Sequence, residues 1–303
     1  MACRGVYPFA PNGEQTARKA LERAIERAKH YIYIEEQFLW PCSVVDSLRK
    51  VVKRNPALKV VIVLAEELEF EGPLRNVHHE MRNEAISAVI GISTGQVFVY
   101  CLEQPSTKTP IYVHSKLTVI DDCFVAIGSV NVNKRSLTTD AELHMGIVDA
   151  DVIRSTMNGI PVSVCRFAKE LRVALWAEHL GITDMTKLED PAAALSLWPD
   201  WSKSTPRAPS RVHHALCYHP RSETATLLEW LEIMRALRAV FPKLPPPWDK
   251  FIDLDKAIDL AESLESTVKD KIGVSPPDIL LGPYFFGLKR LLRDFVMNIE
   301  TTC

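Results

Sequence analysis

Residues 112–131 read YVHSKLTVIDDCFVAIGSVN, and this stretch decides the fold. Two runs rich in β-branched and aromatic residues, 112–120 and 123–127, flank Asp121-Asp122. That pattern predicts two strands joined by a tight turn. Within it sit His114, Lys116 and Asp121 at the spacing H-x-K-x4-D, followed by Gly128-Ser129-Val130-Asn131. Strand side chains alternate, so His114 and Lys116 share a face, about 7 Å apart along it. The hairpin returns Gly128 and Ser129 to the same end.

These residue types suit a phosphodiester. An imidazole attacks phosphorus or moves a proton near neutral pH. A lysine offers a compact cation to phosphate oxygens. Ser129 and Asn131 add neutral hydrogen-bonding groups, and the small Gly128 is expected to let backbone approach a ligand. Phosphoryl transfer asks mainly for positioning and charge stabilisation, which this set supplies without a metal.

Outward from the hairpin the chain alternates helices with strands. Helices are expected at 16–29, 44–54, 76–90 (after the Gly72-Pro73 break) and 167–180, the last ended by Gly181. Strands are expected at 30–34, 58–65, 96–101 and 143–148, with a polar turn at 104–110. The pattern is that of an α/β layered core. Beyond 182 the character changes: 198–220 reads as loop, and helices are expected at 227–241, 254–271 and 284–299. The expected organisation is therefore a domain over 1–181 and a loop-rich, mainly helical extension over 182–303. The last helix carries basic residues on its polar side, and packing on the body of the protein is the simpler expectation for it.

The H-x-K-x4-D and G-S-x-N elements resemble the HKD motif of the phospholipase D superfamily. The similarity extends upstream to IYIEEQFLW at 32–40, and downstream to NKRSLTTDAE at 133–142 and FAKELRVALWAEHLG at 167–181. It covers about the first 180 to 200 residues and is closest in character to the C-terminal half of bacterial-type, two-motif phospholipases D. The resemblance implies a phospholipase D/nuclease-like mixed sheet flanked by helices. It implies a phosphohistidine intermediate: one motif histidine attacks phosphorus, and the other protonates the leaving alcohol and then activates water or an acceptor alcohol.

Carried over by position, His114 matches the motif histidine, with the acid/base role in a two-motif enzyme. Lys116 matches the phosphate-binding lysine. Asp121 matches the motif aspartate, read as an orienting and structural member of the catalytic set. Ser129 and Asn131 match the polar pair of the phosphate pocket. Glu142 falls where the family places a carboxylate behind the histidine. Gln37, in the matching upstream segment, is a candidate for the pocket lining, although Glu35, Glu36 and Gln37 are exposed-type residues.

None of the other histidines is followed two residues later by lysine, so the chain carries half of a two-histidine site. Three explanations compete: a homodimer joining two His114 motifs, a C-terminal half separated from its N-terminal HKD partner, or a degenerate half. The expected reaction is hydrolysis or alcohol exchange of a glycerophospholipid. The alternatives are a metal-independent nuclease, a phospholipid-condensing transferase and an inactive regulatory half acting through interactions.

Composition fits an ordinary globular chain: 303 residues, 47% hydrophobic, 24% charged, with a formal net charge of −2. That charge speaks against nucleic acid as partner. No apolar run is long enough for a bilayer and no secretory signal is evident, so a cytoplasmic or peripheral membrane location is expected. The seven cysteines are scattered without metal spacing, which leads to the expectation of reduced thiols, no metal and no cofactor. Cys123 and Cys165 read as core residues, and His78-His79 as solvated or capping. His144 reads as a satisfied structural histidine, and His213-His214 with His219 lie in the expected loop.

Overall fold

The computed structural model describes residues 14–66, 72–91, 95–138, 140–199 and 210–214, together with Arg235, Asp255, Lys256, Ile258 and Asp259. The chain divides into two compact units, one of Gly5–Leu68 with Arg82–Cys217, the other of Met1–Arg4, Glu69–Met81 and Tyr218–Cys303. The expected helices beyond residue 226 lie outside the described residues, apart from the five isolated positions, which are helical.

The larger unit is built on strands β1 (Tyr31–Glu36), β2 (Lys59–Leu64) and β3 (Val97–Glu103). Helix α1 (Thr16–Glu26) precedes β1, α2 (Ser43–Arg54) links β1 to β2, and α3 (Gly72–Ile90) lies between β2 and β3. These three strands are parallel. On the other flank of β1 run β5 (Leu117–Ile120), β6 (Phe124–Gly128) and β7 (His144–Ile147), each antiparallel to its neighbour; short β4 (Pro110–Ile111) pairs with β3. The result is the mixed α/β sheet that the sequence predicts.

Burial explains the layering. In β1, Ile32 and Ile34 face one side, with Leu21 and Ile25 of α1 and Val44, Leu48 and Val51 of α2. Tyr31 and Tyr33 face the other, against Trp176, Val173 and Leu180 of α5 (Arg166–Leu180). A strand buried on both faces needs no polar alternation, which is why β1 and β2 read as nearly continuous apolar runs. Gly181 closes α5 at φ 65° and ψ 34°, the left-handed conformation that glycine adopts without strain.

Several expectations change. Helix α3 begins at Gly72, so Gly72-Pro73 starts the helix instead of breaking the chain before it; Pro73 falls in the first turn, where a missing N–H loses no helical bond. A hairpin of β8 (Val152–Met157) and β9 (Ile160–Cys165) occupies a stretch that sequence reasoning left unassigned, turning through Asn158 and Gly159 at positive φ. The expected loop at 198–220 contains β10 (Val212–His214), antiparallel to β3, so His213 and His214 lie on a strand. Leu188, Ala194, Trp198 and Val212 join the same core as α5. Cys165 is buried as expected, but Cys123 is exposed because it follows the hairpin turn at the sheet's end. His78 and His79 are buried, not solvated. Among the described residues no helix is long and apolar enough to cross a membrane.

Candidate active site

The motif hairpin turns where the sequence places it. Asp121 and Asp122 have φ of 50° and 47°, the paired left-handed conformation of a tight hairpin turn, and Cys123 N–H donates to the Ile120 carbonyl at 2.9 Å. The strand itself is shorter than predicted. Only Leu117–Ile120 is assigned to the strand; residues 112–116 precede it, although the Lys116 carbonyl still accepts from the Gly128 N–H at 3.2 Å. These residues carry the chain from β4, beside β3, to β5, beside β1, past the end of β2 between them. Among the described residues no strand pairs with 112–115 there.

Alternation persists through this crossing. Tyr112 and His114 are exposed and their rings lie 6.1 Å apart, while Lys116 is buried at 6% exposure. The Lys116 ammonium donates to Gln37 Oε1 at 2.9 Å and to the His114 carbonyl at 2.7 Å. Gln37 Nε2 in turn donates to the Tyr112 hydroxyl at 2.6 Å. Gln37 therefore fixes the lysine and the approach to His114. Burial lowers the Lys116 pKa, and the carboxylates of Glu36 and Glu142 oppose that shift.

Glu35 and Glu36 are buried, contrary to their exposed-type reading, and adjacent strand positions send them to opposite faces. Glu36, 1% exposed, accepts from the Gln37 and Phe38 amides at 3.0 and 3.2 Å through one oxygen, and from the Val132 amide at 3.0 Å through the other. It joins the end of β1 to the segment after Asn131, alongside a Trp40 N–H to Val132 carbonyl bond of 2.9 Å. Burial pushes its carboxyl up to about 7, against these amides and Lys116. On the other face Glu35 accepts from the Tyr33 and Ser115 hydroxyls, both at 2.6 Å, and contacts His179 Nε2 at 3.0 Å. Burial would raise its pKa, but the hydrogen bonds from His179, Ser115 and Tyr33 outweigh that and hold it below the ordinary carboxylate value. Ser115 is thus held behind the sheet while its neighbours His114 and Lys116 stay in front.

The remaining motif residues divide. Asp121 lies at the far end of β5 from Lys116, where its carboxylate accepts the amides of Lys29, His30 and Tyr31 at 2.7 to 2.8 Å. It fixes the entry to β1. Gly128 is needed for strand packing: a Cβ there would lie 2.2 Å from the Leu143 carbonyl oxygen and 2.9 Å from His144 Nδ1, so the β7 backbone takes the space reserved in the sequence reading for a ligand. The Ser129 hydroxyl accepts from the Leu143 amide at 3.0 Å and donates to its carbonyl at 3.4 Å, joining β6 to β7. Asn131 Oδ1 is buried without a hydrogen-bond partner. Glu142 is close enough to influence Lys116 and His144, but among the described residues it makes no hydrogen bond to His114. His144 differs from its expectation, because neither ring nitrogen has a partner.

Sequence reasoning missed Arg82, Glu36 and His179. Arg82 donates to the carbonyls of Gln37 and Glu66 at 3.0 and 3.1 Å, bracing the loop after β1. Within the polar run HHEMRNE at 78–84 nothing singles that arginine out. For Glu36 the available signal was strand alternation, which puts that residue on the face of Ile32 and Ile34. Among the described residues no group of side chains forms a metal site.

Residues 95–197 match the family model for phospholipase D. The chain is 31% identical over 232 residues to phospholipase D zeta 2 of Arabidopsis thaliana, covering 61% of this chain and 22% of that protein. It is 27% identical over 274 residues to phospholipase D2 of Bos taurus, covering 76% of this chain and 29% of that protein. Among solved structures, the phospholipase D family member Nuc from Salmonella typhimurium superposes with a TM-score of 0.40 at 18% identity, over 55% of this chain and 88% of Nuc. These matches support the phospholipase D superfamily, with the family domain itself matched at residues 95–197. The chain spans less than a third of the length of the two larger relatives.

Proposed function

We propose that the chain supplies one half of a phospholipase D-type phosphodiesterase site acting on glycerophospholipids. The observation that carries this reading is the Lys116–Gln37–Tyr112 hydrogen-bond chain beside the exposed His114, at the C-terminal end of parallel strand β1. Such strand ends are where open α/β sheets hold ligands. Lys116 binds the non-bridging phosphate oxygens, and the amide of Asn131 lines the pocket. Ser129, Asp121 and Gln37 hold the frame, and Glu142 supplies negative charge beside the lysine.

In the proposed reaction a histidine nitrogen forms a bond to phosphorus as the phosphorus–oxygen bond to the departing alcohol breaks. His114 gives that oxygen a proton and then takes one from water or an acceptor alcohol, whose oxygen displaces the histidine. The nucleophilic histidine comes from a second copy of this chain or from a separate HKD half. The proposed catalytic residues all lie in 1–181, the expected domain, although the compact unit that holds them continues to Cys217.

The test pairs oligomeric mass with turnover of a chromogenic phosphodiester in the same chromatographic fractions. An active dimer, silenced by His114→Ala, supports completion by a second copy. An inactive monomer that gains activity with an N-terminal HKD half supports the partner form. Activity retained in His114→Ala overturns the proposal.

A further inference from the structure

Glu36, Lys116, Gly128 and His144 form one row across four neighbouring strands. The pairing of Glu35 with Leu117 puts Glu36 beside Lys116 one residue on, the Gly128 N–H donates to the Lys116 carbonyl at 3.2 Å, and Gly128 pairs with His144. Side chains opposite one another in antiparallel strands share a face. The row therefore presents a carboxylate, an ammonium, a bare glycine and an imidazole on the face that carries the motif lysine. The imidazole leans over the glycine: a Cβ on Gly128 would lie 2.9 Å from His144 Nδ1.

Both nitrogens of that ring are buried and lack a partner. A buried polar atom without a hydrogen bond costs about 1 to 3 kcal/mol, a cost removed when an acceptor arrives. Lys116 and His144 stand two strand spacings apart, about 10 Å between backbones. An anion of phosphate size, with a hydrogen bond on each side, spans such a gap once side chains reach inward. The imidazole's Cβ–Cγ torsion is broad, so the ring turns without leaving its rotamer well.

We infer that His144 is a second imidazole of the phosphate pocket, binding the phosphate group from the β7 side while Lys116 binds it from β5, within one chain. This rests on the phosphodiesterase reading of the same site and adds to it a ligand outside the HKD motif. The groups facing His144 fit that role. Burial lowers its basicity and Glu142 opposes the shift, so an arriving anion favours proton uptake there.

The test uses the full chain labelled with ¹⁵N-histidine and titrated with inorganic phosphate, the His144→Ala variant assigning the resonance. Saturable shifts of both His114 and His144 with one dissociation constant support the inference. His144→Ala should then weaken phosphate binding about tenfold or more, the loss expected for a hydrogen bond to a charged group. The exposed neighbour Met145 (56% exposed) points to the opposite face, and Met145→Ala should change affinity less than about twofold. A shift at His114 alone, with no shift at His144, overturns the inference and leaves the motif site standing. If no histidine responds, the phosphate-site reading falls and the inference with it. If His144→Ala fails to fold, His144→Gln supplies the assignment, and the wild-type titration then decides the matter.

Discussion

Arg172 grips both oxygens of Asp122, its Nε 2.9 Å from one and Nη2 2.9 Å from the other, and neither side chain is exposed. The Tyr31 hydroxyl adds a further bond to the same carboxylate, and Arg172 Nη1 donates to the Leu188 carbonyl at 2.6 Å. The pair ties the motif turn to α5. Removing one partner strands a buried charge, so Asp122→Ala should lower stability by about 3 to 5 kcal/mol. The double variant Asp122→Ala with Arg172→Met should be less damaged than the single one. Urea unfolding of the wild type, both single variants and the double variant checks this; additive losses would show that the pair is not coupled.

Lys116 is the buried cation of the proposed phosphate site. Lys116→Ala should reduce kcat on a phosphodiester by about 10² to 10³, the usual effect of deleting one preorganised electrostatic group. Steady-state kinetics checks it. A change confined to KM would assign the lysine to ground-state binding alone.

Glu36 gives stability a pH dependence of unusual sign. Its folded pKa, about 7, lies above the ordinary 4.5, so the folded state holds the proton more tightly. Its contribution to stability is complete below about pH 4.5 and is lost as pH rises through about 7, by roughly 3 kcal/mol. Glu35 is depressed instead, so its contribution is present above 4.5 and lost below as pH falls through its folded pKa. The two windows do not overlap. Denaturation between pH 5 and 8 should show a downward slope that Glu36→Gln abolishes, and a slope that survives the substitution would assign it elsewhere.

Gly128→Ala would force a methyl against the Leu143 carbonyl, and the backbone cannot yield as a flexible side chain would. A loss of about 1 to 3 kcal/mol or more is expected, with β6 and β7 parting at the site. Thermal unfolding measures the loss. A neutral substitution would show that the strands have room to separate.

The alternating α/β order and the hairpin were legible because they rest on local signals: two-residue and 3.6-residue periodicity, and Asp121-Asp122 between two strand-forming runs. Harder to read were features that depend on which strand lies beside which. Residues 112–115 have strand composition, yet a strand needs a neighbour, and among the described residues the crossing past β2 provides none. The carboxylates at 35 and 36 look exposed in sequence because their burial is repaid by distant partners: Val132 for one, His179 for the other. His144 was read as satisfied since parity alone does not show whether a ring nitrogen finds an acceptor.

The turn that begins at Asp121 gives the motif's spacing a physical meaning. Asp121 is anchored on three amides at the start of β1, and Lys116 must reach Gln37 after β1. The four residues between them run antiparallel to β1 and measure its length. One residue more would leave the anchor in place and send the lysine to the back of the sheet, among the partners of Glu35. The interval in H-x-K-x4-D is thus a ruler cut to the strand beside it. A chain that lengthens or shortens it by one must change its neighbour to match.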